Sequence, residues 1–397
     1  MRKSTRLMVK VTLATAHVLG ILSFFYNHRT GEIYTTPWLT IYTAVISVAM
    51  FGVVPMLRNI NISGKRIHVK INFSIFVIRI TAVLVTMIFN WTKRCAFMEY
   101  LRNLKKLRIE FEKKWPLSQN MEEKFDRTLR RKFCWGVSSS LVVFVGFMGY
   151  LKIELNINNV WMILFLALMT NILNVVLTSY FFCILRINIF LAAINEEVTR
   201  ILKKSENLAY LRSRGQTHAG FFITQCCKFA DDLDELARFQ LEFRKLARNI
   251  NGMYEVQGSC VLLSVYLNSI SVIYDAYISL HILWDEYTKI RLVFTTIALF
   301  LYFMDLNVFL FTMLEYQDLL IDCGRILKEH QTCLTNLDVR LEESFKNFSL
   351  QLAKFPIEMK LVGLFKFNRA MVFSIFGSTI SNAIVLIQYD YKNNYNE

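Results

Sequence analysis

The sequence predicts an all-α, polytopic membrane protein with seven transmembrane helices, a cytosolic amino terminus and long cytosolic helical extensions. Apolar residues make up 54% of the 397 residues, Phe alone contributes 33, and only 19% are charged. The mean hydropathy is +0.35. The apolar residues lie in long unbroken runs, which are typical of helices that span a bilayer rather than of a soluble core. A transmembrane barrel would show short alternating segments, which are absent from the sequence.

Seven apolar runs are long enough to cross a bilayer, for which about 20 residues are needed. They are 38–57, 71–91, 133–151, 160–185, 256–280, 291–314 and 367–389. The first six, with their loops, fill residues 38–314. An eighth run, Val11–Tyr26, has only sixteen residues. We therefore expect it to form a helix at the cytosolic membrane interface, within an amino-terminal segment that covers residues 1–37.

The distribution of Lys and Arg predicts the orientation, because cytosolic loops of membrane proteins are enriched in both. With a cytosolic amino terminus, the inner regions carry 36 of the 46 Lys and Arg and the outer regions carry seven. The inner regions are 1–37, 92–132, 186–255 and 315–366, and the outer regions are 58–70, 152–159, 281–290 and 390–397. We therefore expect a multi-pass protein of the plasma membrane with an extracellular tail, 390–397. The outer loop 58–70 is itself basic, and it contains Asn61, the acceptor of a glycosylation motif.

Two apolar seams mark the cytosolic regions as helical. Residues of the first seam recur every three or four positions: Leu236, Phe239, Phe243, Leu246 and Ile250. Residues of the second recur every seven: Leu320, Leu327, Leu334, Leu341 and Phe348. The heptad seam has two interpretations, packing within one chain or contact between subunits in the cytosol.

The sequence contains no motif for enzymatic chemistry, neither a phosphate-binding Gly loop nor H-E-x-x-H nor G-x-S-x-G. Cys323, His330 and Cys333 are close in sequence, but they lack a fourth metal ligand and fit the heptad packing better. We expect no enzyme, no cofactor and no metal. The net charge of +15 would suggest nucleic acid in a soluble protein. Here the basic residues separate apolar runs, so the expected contact is membrane lipid and not nucleic acid.

Polar residues inside the predicted spans are candidates for function, because ionisable groups are costly in a bilayer. Arg79 and Asp275 both lie in the outer half of the membrane, where they form either an ion pair between two helices or part of a water-filled ligand pocket. Aromatic and polar residues of the same region are the further pocket candidates: Tyr266, Asn268, Tyr274 and Tyr277. Asp305, near the middle of its span, is expected to serve helix packing.

The last predicted span carries a polar seam, the pore seam, with spacings of four, three, four and three residues. It consists of Ser374, Ser378, Ser381, Val385 and Gln388. One interpretation is close packing between helices through small residues. The other is the wall of a water-filled pore with a single apolar constriction at Val385.

The carboxyl-terminal span resembles that of insect gustatory receptors. That family ends with Thr-Tyr, five hydrophobic residues and Gln-Phe. Here Ser381-Asn382 is followed by the hydrophobic run 383–387 and by Gln388-Tyr389, so Gln388 and the run match while the flanking residues differ. The approach to this span, with Gly363-Leu364-Phe365 and Asn368-Arg369, is also similar.

The resemblance implies a tetrameric ligand-gated cation channel in chemosensory neurons. It implies a pore lined by the last span 367–389, subunit contacts in cytosolic helices such as those of 315–366, and a ligand pocket in the outer half of each subunit. The chain looks most like the divergent, bitter-sensing members, so the expected ligand is a small organic tastant. Partner subunits would be identical copies or other gustatory receptors.

Two other classes of seven-helix protein compete with the channel. A G-protein-coupled receptor has an extracellular amino terminus, which would place 36 Lys and Arg outside and seven inside. A transporter would show repeated halves or broken spans, and neither is present.

Overall fold

Ten α-helices and four two-residue strands make up the parts of the chain that the structure, a computed structural model, describes. Those parts are residues 3–26, 32–52, 67–153, 157–281, 286–331, 338–354, 360–361, 365–366 and 368–394. The helices are α1 (Lys3–Val18), α2 (Pro37–Phe51), α3 (Ile67–Thr92), α4 (Arg94–Lys114), α5 (Gln119–Ile153), α6 (Ile157–Ser213), α7 (Ala219–His281), α8 (Glu286–Gln331), α9 (Val339–Lys354) and α10 (Arg369–Asn394). The strands form two antiparallel hairpins, β1 (Phe25–Tyr26) with β2 (Ile33–Tyr34) and β3 (Lys360–Leu361) with β4 (Phe365–Lys366).

The amino-terminal segment contains a helix, but it lies earlier than the apolar run Val11–Tyr26 predicts. Helix α1 ends at Val18, and the chain turns at Gly20, whose φ of +68° favours glycine. A Cβ on Gly20 would lie 3.0 Å from Cγ2 of Ile46, so α2 packs tightly over the turn. The turn and the following hairpin therefore end the helix within the apolar run.

Three helices are much longer than a bilayer requires. Helices α6, α7 and α8 contain 57, 63 and 46 residues. A span needs about 20 residues, whereas α6 and α7 extend about 85 and 95 Å at 1.5 Å per residue. Both run through the predicted cytosolic region 186–255 without interruption except near residues 214–218. The predicted helical extensions are thus confirmed as helices.

Five helices of the described chain are long and apolar enough to cross a membrane. Their apolar segments are Lys70–Thr92, Ala167–Ser213, Ala219–Tyr274, Leu292–Glu329 and Arg369–Tyr389. Each contains all or most of one predicted span. Helix α2 is apolar but has only 15 residues, and the predicted span 133–151 lies in α5. The count of seven spans and the cytosolic amino terminus stay predictions.

The predicted seam of α7 lies in the core. Phe239 and Phe243 are buried beside Phe111 of α4, with ring centroids 5.3 and 6.2 Å from that of Phe111. Phe243 also stacks on Phe190 of α6 at 4.8 Å. At the edge of this cluster Lys114 binds Asp232 at 2.7 Å. The three helices α4, α6 and α7 therefore form one packed bundle.

The heptad seam does not form a surface for other subunits. Leu320 and Leu327 lie on α8 and Leu341 and Phe348 on α9, and all four are buried in the core of the single chain. Leu334 lies outside the described residues. The interpretation as contact between subunits is therefore wrong for these four positions. A period of seven also fits packing against helices of the same chain, as it does here.

Of the three residues considered for a metal site, the structure describes the side chain of Cys323. Cys323 is buried in the hydrophobic core beside Leu320 and Leu327. Cys333, the side chain of His330 and the glycosylation candidate Asn61 lie outside the described residues.

Candidate pore helix and ligand pocket

The pore seam of α10 faces away from its own chain. Helix α10 packs against α7, and its packed face includes Thr379 and Ala383, which are 8% and 0% exposed. At 3.6 residues per turn the pore seam lies nearly opposite that face. All five of its residues are exposed: Ser374, Ser378, Ser381, Val385 and Gln388. A single chain therefore leaves most of this polar stripe without cover.

A polar contact joins α7 to the edge of the pore seam. The hydroxyl groups of Tyr266 and Ser378 lie 2.8 Å apart. The side-chain amide of Asn382 donates to Tyr266 at 2.5 Å and to Ser378 at 3.2 Å. Tyr266 was predicted as a pocket residue and Ser378 as a pore residue, so the structure brings these two candidate sites into contact. Asn382 occupies the second position of the family's Thr-Tyr pair, and the sequence pattern did not indicate its role.

Arg79 is half-buried on α3, and it interacts electrostatically with the phenol of Tyr302 on α8. The register of α3 against α7 follows from two contacts. Ser271 donates to Asn72 at 2.9 Å, and Phe97, beyond the end of α3, packs on Tyr254. The two helices are thus antiparallel.

In that register, Arg79 lies at the same height along the paired helices as about residue 265 of α7, which is next to Tyr266 in sequence. Asp275 lies about 15 Å further along the helix at 1.5 Å per residue. An ion pair needs its charged atoms within 4 Å. The helix register therefore disfavours the predicted pairing of Arg79 with Asp275, whose side chain lies outside the described residues.

The other pocket candidates differ in accessibility. Tyr274 is only 1% exposed, so it belongs to the packed interior of the described chain. Asn268 and Tyr277 are half-buried on the same helix. Helix α7 therefore carries Tyr266, Asn268 and Tyr277 as the candidates with accessible surface.

A buried ion pair joins α5 to α8. Nζ of Lys132 lies 2.5 Å from Oδ2 of Asp305, and the two side chains are 1% and 3% exposed. Asp305 was expected to serve packing, which the structure confirms. Lys132 directly precedes the predicted third span, 133–151, so the pair places Asp305 level with the start of that span. In the sequence, the one indication of this pair was the opposite charge of the two residues. Charge alone did not identify Lys132 as the partner of Asp305.

Comparison with known sequences identifies the family. The family described as 7tm chemosensory receptor matches residues 9–393. Gustatory receptor 36c of Drosophila melanogaster is 25% identical, with 94% of this chain and 95% of the relative covered. Gustatory receptor 59d of the same species is 24% identical, with 98% of each chain covered. This chain belongs to the insect gustatory receptor family.

The family assignment agrees with the resemblance of the last span. Another relative of this gustatory receptor family member, the gustatory receptor for bitter taste 93a of Drosophila melanogaster, is 27% identical over 41% of this chain and 37% of its own length. Its family and its long apolar helices together identify this chain as a membrane protein.

Solved structures share the fold. The insect olfactory receptor OR5 from Machilis hrabei, in complex with eugenol, has a TM-score of 0.64 at 12% identity, with 97% of this chain and 99% of the receptor covered. The same receptor in a second structure has a TM-score of 0.63. This chain therefore shares the arrangement of helices of that olfactory receptor.

Proposed function

We propose that this gustatory receptor family member is a subunit of a ligand-gated cation channel in the plasma membrane of chemosensory neurons. Four subunits surround a pore lined by the pore seam of α10. The ligand is a small organic tastant of the bitter class, bound in the outer half of each subunit. The amino terminus and the extensions of α6, α7 and α8 are cytosolic, and the tail after α10 is extracellular.

The exposed pore seam is the observation that carries this proposal. Ser374, Ser381 and Gln388 face away from the chain, and Ser378 lies exposed at the edge of the seam beside Tyr266. Polar groups that face hydrocarbon are unfavourable. Four copies around an axis turn the same stripe toward water. Val385 then forms an apolar ring, which closes a narrow pore by dewetting, and Gln388 forms a polar ring at the outer mouth.

The contact between Tyr266 and Ser378 supports coupling between ligand and pore. Tyr266 lies level with Arg79 in the proposed pocket region, and its hydroxyl reaches the pore helix directly. A ligand that moves α7 therefore acts on α10 through one hydrogen-bonded cluster. The bitter class is supported by the likeness to the bitter taste receptor 93a, and a small organic ligand by the eugenol complex of the olfactory receptor.

Cysteine accessibility along α10 tests the pore directly. Single replacements Ser378→Cys, Ser381→Cys and Val385→Cys place a thiol on the pore seam. Ile380→Cys and Ile384→Cys are matched controls, because both residues are exposed on another face of the same helix. Whole-cell current is activated with a bitter tastant. In every variant except Val385→Cys, the additional change Val385→Ser can open the channel instead. A membrane-impermeant cationic thiol reagent is then added outside.

We expect the reagent to reduce current at the seam positions and to leave the controls unchanged. Modification of Ile380→Cys and Ile384→Cys alone would show that the pore lies on another face. If every variant reaches the surface and none conducts with a tastant or with Val385→Ser, the channel proposal fails.

A further inference from the structure

A cavity opens where α3 meets α4, under the amino-terminal segment. It encloses about 480 Å³ of empty space, which includes solvent at its open side. Its walls come from residues 21–24, from the junction 86–97, from Val176 of α6 and from residues 253–257 of α7. None of the predicted pocket or pore residues lines it, so it is separate from the site proposed above.

One wall of the cavity is aromatic. The ring of Phe97 lies 5.8 Å from that of Phe24 and 6.1 Å from that of Tyr254, measured between centroids. The mouth is cationic, with Lys93 exposed and Arg94 half-buried. No acidic residue is among those that line the cavity. The cavity thus combines an apolar surface with two uncompensated positive charges, the chemistry that an anionic amphiphile requires.

Two polar groups of the lining are left without partners in the described structure. Nε of Arg94 is a buried donor with no acceptor. Oε1 of Gln257 is a buried acceptor with no donor, on a side chain that is 2% exposed. A buried polar atom without a hydrogen bond costs about 1–3 kcal/mol, so native sites of this kind normally hold a ligand or water. An anionic oxygen satisfies Arg94, and a ligand hydroxyl or amine satisfies Gln257.

Arg94 also holds residues 20–24, which cover the cavity and are called its roof below. Its Nη2 donates to the carbonyl oxygen of Ser23 at 2.7 Å. Asn90 donates to the carbonyl oxygen of Gly20 at 3.2 Å and accepts from the hydroxyl of Ser23 at 3.1 Å. The roof is therefore fixed to the α3–α4 junction, and the unpaired Nε is buried beside it.

The depth of the cavity identifies the source of the anion. The predicted span 71–91 ends just before Lys93 and Arg94, so the cationic mouth lies at the level of lipid headgroups. In the proposed orientation this is the cytosolic leaflet, which is rich in anionic lipids and whose headgroups bind basic pockets between helices. A free phosphate would bind the two cations but would leave Phe89 and Val176, on the membrane side of the cavity, uncovered.

We infer that the cavity binds an anionic phospholipid of the cytosolic leaflet. The phosphate lies against Arg94 and Lys93, and the headgroup reaches toward Gln257. The upper part of the acyl chains covers the apolar wall formed by Phe89 and Val176, which lie within the predicted spans. The choice of leaflet rests on the proposed orientation, whereas the binding itself does not depend on channel activity.

Native mass spectrometry of the purified full-length protein tests this site. Phosphatidylserine is titrated against phosphatidylcholine, and the retained lipid is measured for wild type, Arg94→Gln, Lys93→Gln and Arg102→Gln. Arg102 is the matched control, because it is an exposed arginine on the same helix that does not line the cavity. Lys93→Gln distinguishes loss of lipid binding from misfolding, because Lys93 makes none of the hydrogen bonds described above that hold residues 20–23.

We expect wild type and Arg102→Gln to prefer phosphatidylserine. Arg94→Gln and Lys93→Gln should each bind it about tenfold more weakly, because each removes one charged contact to the phosphate. Equal retention by Arg94→Gln, Lys93→Gln and wild type would overturn the site. Displacement of phosphatidylserine by inorganic phosphate at equal concentration would overturn the lipid as its ligand. Because no current is measured, failure of the channel proposal would leave a positive result here intact.

Discussion

The hydroxyl group of Tyr266 on α7 lies 2.8 Å from that of Ser378 on α10. These residues are 112 positions apart in the chain, and they come from the two candidate sites, the ligand pocket and the pore seam. Asn382 binds both, so the contact has three members on two helices. It is a direct polar connection between α7 and the proposed pore helix.

Replacement of Tyr266 by Phe should weaken the link between ligand and pore. The change removes the hydroxyl and keeps the ring, and one such hydrogen bond contributes about 1 kcal/mol. We expect the tastant concentration for half-maximal current to rise about fivefold, with near-normal surface expression. Dose–response curves of whole-cell current provide the measurement.

Ser378→Ala should raise the half-maximal tastant concentration to a similar degree. The double variant Tyr266→Phe with Ser378→Ala should show no larger rise than either single variant, because each of them removes the same contact. Tyr210→Phe is the control, since Tyr210 is an exposed tyrosine of α6 far along the chain from this cluster. Additive effects of Tyr266→Phe and Ser378→Ala would show that the two hydroxyls act separately.

Val385→Ser should conduct without ligand, because a polar ring no longer excludes water from the constriction. Changes at Gln388 should alter conductance or cation preference at the outer mouth. Whole-cell currents with exchanged external cations measure both. Phe373→Leu, on another exposed face of α10, should leave permeation unchanged. Normal gating and selectivity in the Val385 and Gln388 variants would identify the seam as a packing surface.

Arg79→Ala and Asp275→Ala should act independently. Their positions differ by about 15 Å along α7, and mutations separated by more than about 10 Å usually combine additively to within about 0.5 kcal/mol. We expect the double variant to lose stability and surface expression as the sum of the single effects. Recovery of expression in the double variant would instead demonstrate the ion pair that the helix register disfavours.

Asp305→Asn should destabilise the packing of α5 on α8 strongly. It leaves the buried ammonium of Lys132 without its counterion, and breaking a buried pair typically costs about 3–5 kcal/mol. Thermal unfolding of the purified protein measures the loss. The double change Lys132→Met with Asp305→Leu should recover most of the stability, because two apolar side chains replace both charges. A double variant as unstable as Asp305→Asn would indicate another role for the pair.

Leu327→Asp should prevent folding rather than separate folded subunits. Leu327 is buried in the core of one chain, and an unpaired buried charge costs several kcal/mol. We expect loss of monodisperse protein in size-exclusion chromatography, together with aggregation. Ile321→Asp is the control, because Ile321 is exposed on the same helix. Folded monomers of Leu327→Asp would restore the interpretation of the heptad seam as a subunit contact.

Local patterns predicted much of this protein correctly. The apolar runs located the long helices, because a helix that crosses a bilayer must be apolar over about 20 residues in succession. The spacing of the α7 seam predicted its buried face, with Phe239 and Phe243 in the core. The spacing of the pore seam predicted five residues on one face of α10, and the structure leaves all five exposed.

Sequence patterns did not predict the features that depend on which residue or helix a given residue contacts. The heptad seam looked the same whether it packed inside one chain or between chains, and only the burial of Leu327 and Leu341 distinguished the two. The early end of α1 depended on the turn at Gly20, which packs against Ile46 of another helix. The ion pair between Arg79 and Asp275 stays a prediction, and the helix register places the two residues at different heights along α7.

The sequence by itself thus determined the helical, membrane-embedded class, the positions of the long apolar helices and the residues that share a face. These follow from composition and from a period of 3.6 residues, which act over one or two turns. Only the tertiary structure decided which faces meet. Lys132 pairs with Asp305 across 173 positions, and Tyr266 with Ser378 across 112. Such pairs depend on the register between helices, which is determined by packing along their whole length and not by the residues near either partner.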